Sequence, residues 1–254
     1  MMYLFVRAVP WLSAAAALLA VQWQWQNPVS YPYPMLGAIG IYIASAILIG
    51  AGRLAWKELM VKSTPSLLLL LAASLAMLVI ESPISKTALT ILFSGTPLLT
   101  LELLFLLAVD PVRYPVHGLS RLNVALVPIT TFLLAGALSG LRIYLQFDNL
   151  SIMAIFTIYG ASVFALTSHH ASSHEQDRRW AAVGALVGFH AGFLVQVLPI
   201  GLPAQGLIAA LIIAIPLRMR RYAFQPIPAR TVAIAESTGA AVMLAAVLLL
   251  SRWA

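Results

Sequence analysis

Apolar residues gather into long, nearly uninterrupted runs along the chain, and polar residues are confined to short stretches between them. Crossing about 30 Å of hydrocarbon takes about 20 apolar residues, so run length defines the elements here more than helical periodicity does. Nine runs meet that description, at 3–21, 35–55, 65–81, 87–109, 122–145, 150–168, 180–199, 202–218 and 231–250. They predict an all-α fold, a polytopic transmembrane helical bundle of about nine spans, with eight as the alternative count. The eighth run is the weakest, because Pro203 and Pro216 shorten its regular part to roughly 20 Å. It suits a short upright span or a hairpin with its neighbour. The connections are a dozen residues or so at most, which makes residues 1–254 a single integral membrane domain with no soluble domain.

Interruptions within this pattern carry expectations of their own. The first connection, QWQWQNPVSYPYP at 22–34, holds two tryptophans, two tyrosines and no charge. Its rings suit the headgroup layer, and Pro28, Pro32 and Pro34 are expected to keep its backbone extended. In the fourth run, SGTP at 94–97 places Pro97 where it cannot donate to the Phe93 carbonyl, which predicts a kink satisfied by the Ser94 and Thr96 hydroxyls, a neighbour or water. Pro128 and Pro199 are candidates for the same effect. Glycine pairs four residues apart, Gly136 with Gly140 and Gly184 with Gly188, predict close helix contacts.

Composition then fixes the solvent. Of 254 residues, 61% are hydrophobic and 9% charged, against roughly a half and a quarter in soluble domains. Lipid surrounds this chain. The formal charge of +7 does not form a stripe or tail, which argues against nucleic acid as a partner. Basic residues alternate between connections instead. Arg7, Arg53, Lys57, Lys62, Arg113, Arg121, Arg178, Arg179, Arg218, Arg220, Arg221 and Arg230 fall on one side, and Lys86, Arg142 and Arg252 on the other, a split of twelve to three. The positive-inside rule therefore predicts a cytoplasmic N terminus and, with nine spans, an external C terminus.

Residues 1–21 share features of a signal peptide. However, Arg7 follows an apolar start and Leu18 stands where a small residue is expected, so an uncleaved first helix is predicted. The absence of cysteine excludes disulfides and thiolate metal sites. Short loops in so small a chain point to a prokaryotic inner or plasma membrane.

Candidate chemistry is sparse. Glu102 lies roughly 6 Å to the cytoplasmic side of its span's midpoint, and Glu236 falls at nearly the same depth. An ionised carboxylate facing lipid costs on the order of 2.5 to 3.5 kcal/mol, so both are expected to face the bundle interior or a wet cavity. Desolvation and mutual repulsion would leave at least one of them protonated near neutrality, which suits proton-linked transport. The bland alternative is that each is neutral and bonds a backbone carbonyl or a hydroxyl such as Thr100, Ser237 or Thr238. His190 could extend a relay, and Arg142, at the outer end of the fifth span, could attract an anion or simply snorkel.

The cytoplasmic loop SHHASSHEQDRR at 168–179 contains His169, His170, His174, Glu175 and Asp177. His170, His174 and Glu175 have metal-ligand character, but a third fixed ligand is wanting, and a solvated loop without metal is expected. Membrane di-metal oxygenases would need several such boxes. In addition, ALSG at 137–140 is followed by His190, 51 residues after Ser139. This arrangement resembles that of the rhomboid proteases, which pair a serine in a GxSG motif with a histidine two helices on. The resemblance implies Ser139 as nucleophile and His190 as base. It covers a few residues only: alanine replaces the first glycine, no earlier span supplies the oxyanion histidine and asparagine, and the serine lies late in an outward-going span. No mid-membrane lysine offers a retinal site.

The leading expectation is a small proton-linked carrier or permease component whose pathway includes Glu102 and Glu236, with His190 and Arg142 as accessories. The rival is a noncatalytic subunit that packs against other membrane proteins, and a Ser139–His190 protease stands third. No cofactor is expected, and the partners are the bilayer, a small solute or proton, and possible neighbouring subunits.

Overall fold

A computed structural model describes residues 2–166, 174–220 and 230–250 of the chain, apart from the side chains of 2–4, 174, 175, 230, 233, 236 and 250. Its elements are α1 (Met2–Gln26), a 3-10 turn (Pro28–Ser30), α2 (Tyr33–Gly50), α3 (Trp56–Ala76), α4 (Pro83–Val109), α5 (Gly118–Leu145), α6 (Asn149–Leu166), α7 (His174–Val197), α8 (Leu202–Arg220) and α9 (Arg230–Leu250). The protein is all-helical, a multi-pass membrane architecture. Among the described residues, α1 to α8 are long and apolar enough to cross a bilayer, and α9 has a shorter apolar stretch, Ser237–Leu249.

Several boundaries differ from the expectation. Helix α1 continues through the QWQWQ segment, because each residue there still has a helical carbonyl one turn back to donate to. Residues 28–34 do not form an extended loop. Pro28 opens the 3-10 turn, and Pro34 sits in the first turn of α2, where a missing N–H costs nothing. Helix α3 begins nine residues before the predicted run, at Trp56. Its polar first turns are stabilised by a Lys62–Glu58 ion pair of 3.0 Å and by Ser63 and Thr64 hydroxyls donating to the carbonyls of Leu59 and Met60. Lys57 and Lys62 are thus helical rather than loop residues. Helix α8 is likewise not shortened by its prolines. Pro203 lies at its start, so α8 runs for 19 residues, about 28 Å at 1.5 Å per residue.

The packing groups the chain into two compact units, Met1–Leu126 and Val127–Ala254. In the first, α4 is the central helix, with Phe93, Thr96, Pro97, Thr100, Leu101, Leu104 and Phe105 buried and with α1, α2 and α3 packed around it. Helix α4 is unbroken through SGTP. Thr96 and Ser94 turn back to the carbonyls of Leu92 and Thr90, the usual fate of hydroxyls in a membrane helix, and do not cap Phe93. Polar cross-links tie these helices: the buried Ser66 and Thr100 hydroxyls are 2.6 Å apart, Tyr42 donates to the Ser63 carbonyl at 3.1 Å, Trp25 Nε1 donates to Thr90 at 3.2 Å, and Asn123 in α5 donates to the Lys62 carbonyl at 3.1 Å.

In the second unit, α6 and α7 meet along a glycine seam. A Cβ added at Gly160, Gly184 or Gly188 would collide with backbone of the facing helix, and at Gly192 it would lie 3.0 Å from Phe156. The expected contact at Gly184 and Gly188 is therefore real, and it extends one turn further to Gly192. Gly136 is different, because among the described residues a Cβ there would meet nothing within 4 Å, so the expected close contact is not made by them. Helix α5 contributes Thr131, whose hydroxyl lies 2.9 Å from that of Tyr159 in α6, and Phe132, whose ring lies against Gly206 of α8.

Candidate functional site

Glu102 is not left to a hydroxyl or to lipid. Its Oε1 accepts from Arg7 Nη1 at 2.5 Å, which joins α4 to α1 within the first unit. The match follows from antiparallel geometry. Arg7 lies five residues after the start of α1 and Glu102 seven before the end of α4, so each is about 8 to 10 Å from the same end of its helix. The Arg7 guanidinium also lies 5.1 Å from the centre of the Phe105 ring, one turn along α4, where the ring's negative face favours a cation. Thr100, the hydroxyl expected to satisfy Glu102, is instead engaged with Ser66.

The pairing uses one carboxylate oxygen. Glu102 Oε2 is buried and has no hydrogen-bond partner among the described residues. The carboxyl group therefore holds one strong charge-assisted bond and one unused acceptor that is shielded from solvent, an arrangement that can take up a proton or a hydrogen-bonding solute. In the sequence Arg7 is a topology signal, and its role as the partner of Glu102 emerges only from the packing of α1 on α4. The available clue was depth: a cation and an acid lay equally far inside apolar runs of opposite direction.

The other candidates are dispersed. The Glu236 side chain lies outside the described residues, as do His169, His170 and the side chains of His174 and Glu175. His190 is exposed, and its Nδ1 donates to the Leu186 carbonyl, 2.8 Å away in the preceding turn. Ser139 is buried, and its Oγ has no hydrogen-bond partner among the described residues. The nucleophile–base contact implied by the protease resemblance is thus not made. Arg142 does not simply snorkel. Its Nη1 donates to the Gln196 carbonyl at 3.0 Å, which ties the end of α5 to the last turn of α7.

A further cation was missed. Arg220, which the sequence places in a loop, ends α8 with its side chain buried. Its guanidinium lies 5.1 Å from the Trp180 ring centre and donates to the Phe164 carbonyl, holding the ends of α8, α7 and α6 together. Charge alone could not reveal this, because a lysine- or arginine-bearing helix end looks the same whether the head group snorkels or turns inward.

No family model matches the chain, and neither a curated protein nor a solved structure is significantly similar to it.

Proposed function

We propose that this multi-pass membrane protein is a small proton-linked carrier or permease component in which Glu102 is the proton-exchanging group. The observation that carries this reading is the Arg7–Glu102 pair with its buried, unused Oε2. Ionisable residues within spans are costly, and when they pair with one another they mark solute or proton pathways by default. Protonating Glu102 removes the charge that holds Arg7, so proton binding and separation of α1 from α4 at that level are coupled. Glu236, at the corresponding depth by sequence, is the proposed second acid of the pathway, and His190 and Arg142 are proposed accessories to that pathway.

The test uses the purified chain in liposomes that contain a trapped pH-sensitive dye. Pools of amino acids, sugars, monocarboxylates and inorganic phosphate are added outside in turn. A pool that acidifies the lumen with the wild-type chain, and not with Glu102→Gln, supports the carrier. Wild-type and empty liposomes behaving alike with every pool would sink it.

The second reading, a noncatalytic subunit, is favoured by a different observation. Gly37 and Gly40 lie on the exposed face of α2, and among the described residues nothing comes within 4 Å of a Cβ at either position, as a close-packed helix of another chain would require. Silent liposomes, together with loss of a defined complex in Gly40→Ile, would favour that reading.

A further inference from the structure

We propose that a recess within the second unit, where α5, α6, α7 and α8 end or begin, binds a small oxyanion that bears a proton of its own, of the hydrogen phosphate or bicarbonate kind. The recess holds about 70 Å³ and is lined by Ser139, Arg142, Ile143, Ile152, Val195, Gln196 and Gln205. A cavity needs about 10 to 15 Å³, counted in the same way, to hold one water. The recess therefore has room for a compact ion.

Three polar groups face this space with complementary needs. Ser139 and Arg142 are three residues apart on α5, so they share a face. Ser139 is 4% exposed and its Oγ has no hydrogen-bond partner. Arg142 is anchored through Nη1 to the Gln196 carbonyl. No carboxylate lines the recess, and Arg142 makes no ion pair among the described residues. Gln205 supplies the discriminating group. Its Nε2 donates to the Leu198 carbonyl at 3.1 Å, which fixes the amide orientation, because only the nitrogen end can donate. Its Oε1 is consequently an acceptor, buried and without a hydrogen-bond partner among the described residues.

Leaving a buried polar atom unpaired is unfavourable, and two such atoms sit here beside the Arg142 guanidinium. The ligand that satisfies all three offers anionic oxygens to Arg142 and Ser139 and an O–H to Gln205. A phosphodiester of a lipid headgroup has the first and lacks the second. Ile152 and Val195, both buried, line the recess with apolar surface beside these polar groups. By the positive-inside count this end of the helices faces outward. The site does not depend on the role proposed for Glu102.

Thermal unfolding of the full chain in detergent, with inorganic phosphate or sulfate added at constant ionic strength near pH 7, tests the proposal. Phosphate should raise the midpoint saturably, and sulfate, which carries no proton at that pH, should do so at least tenfold more weakly. Arg142→Gln should abolish the phosphate shift, whereas Ser139→Ala and Gln205→Met should each weaken binding by about tenfold, the worth of one such hydrogen bond. Ser139→Ala removes a single buried atom, so its result stands even if Arg142→Gln unfolds. No saturable phosphate shift, or equal responses to sulfate and phosphate that ignore Gln205→Met, would overturn the proposal. Repeating the titration in nanodiscs separates the two phosphate sources. Stabilisation by phosphatidylglycerol that vanishes in Arg142→Gln, without any effect of inorganic phosphate, would also overturn it, and an undiminished phosphate response in those discs supports it.

Discussion

The Arg7–Glu102 pair gives two residues 95 positions apart a shared energetic fate. Removing either partner strands the other charge in an apolar setting, whereas exchanging the two preserves the attraction. Arg7→Met and Glu102→Gln should each lower stability by about 1 to 3 kcal/mol. In a double-mutant cycle read by denaturant unfolding in detergent, their coupling should be about 0.5 to 3 kcal/mol. The swap Arg7→Glu with Glu102→Arg should recover part of the loss. Additive single effects, with no coupling, would show that the pair contributes nothing. The sequence displayed both residues and their depths. It did not display that Glu102 turns toward α1, because the direction of a side chain around its helix depends on which neighbours pack there.

At the scale of helices, the glycines divide sharply by surroundings. Gly188 faces the Phe156 carbonyl with no room for a Cβ, while Gly136 has open space. Gly188→Ala should therefore force α6 and α7 apart and cost about 1 to 3 kcal/mol. Gly136→Ala should stabilise by about 0.4 to 1 kcal/mol, since alanine reduces the freedom of the unfolded chain without a clash. Thermal midpoints of the two variants in one detergent check the contrast, and equal shifts would contradict the seam. Both pairs have the same spacing in sequence, and only the partner helix distinguishes them. The extension of α1 through QWQWQ and the early start of α3 were missed for a related reason. Run length measures where lipid ends, whereas a helix continues past that level as long as backbone groups find partners one turn away.

For the whole molecule, the orientation rests on the twelve-to-three distribution of basic residues. The lack of cysteine makes it directly testable. Val29, 98% exposed between α1 and α2, and Val112, 96% exposed between α4 and α5, lie in connections assigned to opposite sides. An impermeant maleimide should label Val29→Cys in intact cells and Val112→Cys only after permeabilisation. The reverse pattern would invert the topology, and with it the outward position of the Arg142 recess.

The sequence by itself determined the lipid-compatible composition, the helical class and the approximate place of each helix. These quantities are sums or positions along one chain, and the transfer of apolar side chains to lipid is nearly additive along a span. Only the tertiary structure decided that Glu102 meets Arg7, that Ser139 and His190 do not meet, that Arg220 turns inward, and that Ser139, Arg142 and Gln205 enclose a common space. Those outcomes depend on how each helix is rotated about its axis and which helix lies beside it. In lipid these are fixed by close packing and a few polar bonds rather than by hydrophobicity, which is similar on every face.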